Sequence, residues 1–132
     1  SLHVEFPAET DPLTAHDVID NIEKDFLKKD RLQVTIHYDP IVTAEASVGV
    51  LRARLQEHAR QLDPRLSIHD LRIVPGDSHT NVLFDLVFPA GYTGDIDQML
   101  AKMCQFVKEQ DPKYCCVVKV EQSYASALPD EK

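Results

Sequence analysis

Three histidines and an aspartate, His3, His16, His37 and Asp39, are the residues whose types and spacing suit chemistry, and that chemistry is metal binding. Neutral imidazole nitrogen and carboxylate oxygen ligate Zn²⁺ and its neighbours, which need three or four such groups converging from different elements. His37 and Asp39 stand two positions apart, so on a strand both project from one side. Two adjacent strands carrying His3 and the His37/Asp39 pair, with His16 at a helix start, provide a route to convergence. A polar sheet face and a helix N-terminus left in water would carry the same side chains, so the residue pattern alone leaves both readings open.

The elements that must position these groups follow from periodicity. Leu2, Val4 and Phe6 alternate with His3 and Glu5, the signature of a half-buried strand. Thr14 with Asp17 three residues on resembles a capping box, and Ile19, Ile22 and Phe26 follow at helical spacing, which places His16 in the first helical turn. Leu32, Val34, Ile36 and Tyr38 alternate with Gln33, Thr35, His37 and Asp39 up to Pro40, predicting a second strand with a polar outer face.

A new unit opens near Thr43. Val48, Leu51, Leu55 and Leu62 form the stripe of a helix that must end before Asp63 and Pro64, because the residue before a proline resists helical geometry. Residues 67–74 and 81–88 read as a hairpin about Pro75, Gly76 and Asp77. A third helix, capped by Asp95, carries Leu100, Met103 and Val107 and stops before Pro112; a last strand turns Cys116, Val118 and Val120 inward. The expected architecture is α+β: a truncated β-α-β unit over residues 1–43, a complete α-β-β-α-β sandwich over 44–128, and a tail at 129–132.

The two units say nearly the same thing. LHVEFPA at the start answers to LFDLVFPA downstream, and Pro7 and Pro89 lie 82 positions apart. At that offset Ile36 falls on Val118 and Tyr38 on Val120, while His3 becomes Asp85, His16 becomes Gln98, His37 becomes Lys119 and Asp39 becomes Glu121. The scaffold is kept and the polar chemistry changes, as in an internal duplication in which one copy is equipped for a metal.

Composition narrows the function classes. With 132 residues, 43% of them apolar, the chain can bury a core. A formal charge of −8 disfavours nucleic acid and makes cations the more natural partners. Three cysteines, two of them adjacent, make no disulfide framework and read as reduced packing residues. No apolar run approaches the roughly 20 residues a membrane helix needs, so the polypeptide itself is expected to be soluble. A nucleophile elbow, a glycine-rich phosphate loop and an HExxH motif are all missing, which argues against an enzyme.

The phrases TAHDVIDNIEKDF, VTIHYDPIV, LSIHDLRIV and SHTNVLFDLVFPA, in this order and spacing from Leu2 to about Tyr124, resemble the cytosolic C-terminal region of cation diffusion facilitator transporters, of the bacterial type in which that region is duplicated. The resemblance implies a metallochaperone-like, ferredoxin-like domain in the cytoplasm. It would hang below the transmembrane domain of the full-length transporter, which exports Zn²⁺ or a similar divalent ion in exchange for protons. It also implies a homodimer tightened by cytosolic metal, and a ligand set falling on His3, His16, His37 and Asp39. A further family ligand, the His opening an HDLR phrase, has no counterpart in the first copy. The second copy has that phrase at His69 and Asp70 and, with His79 and Asp85, a lesser candidate polar site. There Lys119 would repel a metal and is expected to pair with Asp85, and His79 suits a turn. His58, among charged neighbours on a helix face, is expected to be solvated.

The outer sheet faces differ too. In the second copy Leu83, Val87, Cys115 and Val117 make that face apolar, which calls for cover by a partner subunit or by the other copy. A pure dimerisation module with a vestigial site is the alternative to a metal sensor. A small hydrolase using metal-bound water is the third reading, weakened by ligands on an open strand face rather than in a cleft. Zinc affinity is expected to fall below about pH 6, since neutral imidazole is the ligand form.

Overall fold

The computed structural model describes residues 1–123, without the side chain of Glu45; the tail expected at 129–132 lies outside the described residues. The chain divides into two compact units, Ser1–Thr43 and the remainder from Ala44. Each combines strands with helices in an α+β arrangement.

The first unit comprises β1 (Leu2–Pro7), α1 (Pro12–Asp30) and β2 (Ile36–Ile41). The strands run parallel, with Leu2 opposite Ile36 and Pro7 opposite Ile41. Parallel neighbours need a crossover, and α1 supplies it. The predicted alternation holds in β1, where Leu2, Val4 and Phe6 are half-buried and His3, Glu5 and Pro7 exposed. Tyr38 stacks on Phe6 with ring centroids 5.4 Å apart. Glu23 of α1 accepts the Ile36 N–H at 3.0 Å, satisfying the first donor of β2.

Two boundaries differ from expectation. The Thr14 signal marks the cap of α1 three residues late. Asp11 is the cap, accepting the Thr14 N–H at 3.1 Å, and Pro12 takes the first helical position, where its missing N–H costs nothing. His16 therefore stands beyond the first turn. The second strand begins at Ile36 rather than Leu32. Arg31 ends α1 in the left-handed region at φ 54°, and the ladder with β1 opens only where Leu2 faces Ile36, so residues 32–35 have no facing residue.

The second unit comprises α2 (Glu45–Leu62), β3 (Ser67–Val74), β4 (Thr80–Pro89), α3 (Ile96–Gln110) and β5 (Tyr114–Ser123). β4 is the central strand, antiparallel to β3 and parallel to β5. The α2 stripe buries Val48, Leu51, Leu55 and Ala59, and α3 buries Met103 and Val107. Ile68, Leu71 and Ile73 of β3 are buried with Val82, Phe84, Leu86 and Phe88 of β4. Each such large side chain contributes about 1.5–3 kcal/mol on burial. Asp95 caps α3 as predicted, accepting the Gln98 N–H at 3.1 Å. Gln56 of α2 accepts the Ile68 N–H at 3.1 Å, doing for β3 what Glu23 does for β2.

Two details shape the hairpin. Gly76 is required by its turn, because a Cβ there would stand 2.7 Å from the His79 carbonyl oxygen. Between His69 and Arg72 the register shifts by one residue, with Asp70 in the left-handed region at φ 56°. This bulge lets Ile68, Leu71 and Ile73 all turn inward.

The duplication extends to strand register. Leu2 opposite Ile36 answers to Phe84 opposite Val118, and Pro7 opposite Ile41 answers to Pro89 opposite Ser123, every pair displaced by the same 82 residues. The units differ in what they bury. Among the described residues, the buried apolar side chains of the first unit are Ala15 and Ile36 alone, and the rest of the core belongs to the second.

Candidate metal centre

Parallel register is what builds the site. It sets His3 directly opposite His37, and the pleat then returns Asp39 to the same side of β2. The two imidazoles stack with centroids 4.7 Å apart at 23°. His3 Nδ1 lies 3.0 Å from Asp39 Oδ2. His3 is 63% exposed and Asp39 22%, so the contact is a surface one, worth about 0–1 kcal/mol and easily exchanged for a stronger ligand.

Three of the four donors are thus neighbours on one face, and His16 is not with them. It lines a depression of about 200 Å³ with Pro12, Ile19 and Tyr38. Tyr38 alternates with His37 and Asp39 along β2, so this depression opens on the opposite side of the sheet. The cause lies in the packing: α1 lies on the apolar side of the sheet, and His16, exposed on α1 beside Pro12 and Ile19, stays on that side. Among the described residues, no three His, Cys, Asp or Glu side chains stand arranged as a metal-binding group. The His3–Asp39 contact occupies two of the atoms a metal would take. Two nitrogen donors and one carboxylate nevertheless fit Zn²⁺ by type, with remaining positions left for water.

The lesser polar cluster lies on the second unit's sheet. His69 faces Asp85 across the β3–β4 ladder, with Asp70 beside it in the bulge. Asp85 is buried, and the expected pairing with Lys119 is not how it is held. Burial and the hydrogen-bonded Glu121 carboxyl push its acid above the usual carboxylate range, while Lys119 and Asp70 draw it back. His79 is elsewhere, exposed in the hairpin turn with Nδ1 2.9 Å from Ser78 Oγ.

A pH prediction follows from Asp85. The unfolded carboxyl ionises near its ordinary value of 3.8 while the folded one still holds its proton, so its contribution to stability declines as pH rises above about 4. Asp85→Asn keeps a donor for Glu121 and removes the ionisation. Urea denaturation at pH 4 and pH 7 should show the variant gaining on the wild type at pH 7, by about 1 kcal/mol. An equal difference at both pH values would mean that Asp85 does not titrate between them.

Two features escaped the sequence reading. His58 is half-buried rather than solvated: its ring stacks on Phe106, with centroids 4.0 Å apart and planes 7° from parallel. The neighbourhood that makes this stack is the packing of α2 on α3, which spacing within either helix does not reveal. Cys116 and Cys104 are also neighbours. Burial and the Cys104 thiol push the Cys116 thiol far above the ordinary thiol range, so it packs as a neutral, unreactive group.

No family model, curated protein or solved structure matches this chain. Among the described residues, no helix is long and apolar enough to cross a membrane.

Proposed function

We propose that this chain is a cytosolic regulatory and dimerisation region of a divalent-cation efflux transporter, and that Zn²⁺ or a similar ion binds on the first unit. The observation that carries the reading is the parallel register that gathers His3, His37 and Asp39 on one exposed face. The four sequence phrases that resemble cation diffusion facilitator regions support it independently. The α-β-β-α-β order of the second unit is compatible with the ferredoxin-like sandwich of such regions.

In this reading the metal displaces the His3–Asp39 contact. Asp39 offsets charge while the two imidazoles set the geometry, tying β1 to β2. The second unit contributes the dimer surface, through the sheet face bearing the half-buried Leu83 and Cys115 and the exposed Val117, Val87 being already buried within the chain. The transmembrane domain of the same transporter is the further partner, and no catalytic role is included.

Calorimetric titration of metal-free protein with Zn²⁺ at pH 7.5, followed by sedimentation with and without the ion, tests the proposal. Uptake of one equivalent at micromolar affinity or better, with a shift towards dimer, is the expected outcome. Absence of zinc uptake would sink the sensor. A dimer indifferent to zinc would then support the second reading, a dimerisation module, which is favoured by the lack of an assembled three-donor group among the described residues.

A further inference from the structure

The first unit is a sheet of two parallel strands under one helix, and such a unit is short of cover. A two-stranded sheet is marginal in water, and a unit of roughly forty residues needs help beyond its own apolar surface. Its buried apolar residues among those described are Ala15 and Ile36. Val4, Phe6 and Ile41 are half-buried, Val18 is exposed, and Leu13, Leu27 and Leu32 are more than half exposed.

The duplication indicates what completes it. β1, α1 and β2 answer to β4, α3 and β5 with the same strand register. On its other side, β4 carries β3, antiparallel, with Ser67 opposite Val87, Ile68 opposite Leu86 and His69 opposite Asp85. The corresponding side of β1 has no strand among the described residues, since β1 pairs with β2 alone. The backbone is oriented to receive one. The Leu2 and Ala8 N–H groups donate towards β2, at 3.0 Å to Thr35 and 2.7 Å to Ile41, so the alternate His3 N–H points to the open side.

We infer that the outer edge of β1 is a docking edge for an antiparallel strand of β3 type, led by a helix, from a polypeptide segment other than the strands described here. Its chemistry is fixed by the equivalence. Apolar side chains at alternate positions turn towards the α1 side, as Ile68 does beside Leu86, and polar ones turn towards the His3 side, as His69 does beside Asp85. The leading helix would cover the apolar side as α2 does in the second unit, where its contact with β3 is extensive. This inference is independent of metal binding.

The probe is the segment 44–74, containing α2 and β3, added as a peptide to the isotope-labelled full chain in zinc-free buffer. Amide exchange is followed by NMR. His3 N–H exchange is expected to slow by about tenfold or more as the edge is paired. The same peptide carrying His69→Pro is expected to have no effect, because the Ile68 N–H is taken by Gln56 and the alternate His69 N–H is the ladder donor that would face His3. A chain with segment 44–74 fused ahead of Ser1 through a flexible linker removes the dependence on affinity and should protect His3 without added peptide. Unchanged His3 exchange in the fusion would overturn the inference. So would concentration-dependent protection of His3 in the unmodified chain, which would make a second copy the occupant.

Discussion

Phe88→Ala is expected to cost about 3–5 kcal/mol, and Phe6→Ala, the same change at the equivalent position of the first unit, well under half of that. Both phenylalanines precede the proline that ends their strand, and both face the helix side of their sheets in the same register, Phe88 opposite Gln122 and Phe6 opposite Pro40. Phe88 is 0% exposed, on the central strand β4 one residue past the last β3 pair at Val87, and in contact with Tyr92 at 4.9 Å. Phe6 is half-buried, with Tyr38 stacked on it and no strand beyond β1 among the described residues. Since the cost of truncation follows the surface and contacts removed, identical chemistry should yield unequal losses. A domain is stabilised by only about 5–15 kcal/mol, so Phe88→Ala leaves the second unit close to unfolding at ordinary temperature. Urea titration followed by NMR peaks from each unit measures both losses separately. Equal losses would show that Phe6 is as well covered as Phe88, and the argument that the first unit lacks a strand would fall with it.

The sequence showed most of the fold because periodicity within an element is a local signal. The α2 stripe, the hairpin and the Asp95 cap all lie where spacing placed them. The duplication was legible for the same reason, since Pro7 and Pro89 mark equivalent strand ends. What was not legible depended on neighbours distant in sequence. The length of β2 is set by where β1 can meet it, and alternation from Leu32 to Thr35 carries no trace of that limit. The sidedness of His16 depends on which face of α1 meets the sheet, and the earlier helix start at Asp11 moved it along the helix as well. Asp85 follows the same rule: Lys119 faces it in the ladder, yet the diagonal Glu121 holds it, just as Asp39 on the same diagonal holds His3.

That shared diagonal makes the donor set portable. The triple replacement Asp85→His, Lys119→His and Glu121→Asp puts the first unit's three donors into the second unit's sheet, where Asp85 faces Lys119 as His3 faces His37. Under the proposed zinc reading, stoichiometry is expected to rise from one to two per chain. Removing the lysine cation matters as much as adding imidazole, because a fixed positive charge beside the donors opposes a divalent ion. The change also removes a buried carboxyl, offsetting part of the strain of a larger ring at position 85. In the same background His37→Ala is expected to weaken the original site by at least about 100-fold, more than the 10–100-fold typical for losing a group that only orients a ligand. Titration calorimetry counts the equivalents, and circular dichroism confirms that the triple variant is folded. A folded variant that still takes up a single equivalent would mean that register and donor type do not suffice. The first unit's site would then depend on a group beyond His3, His37 and Asp39.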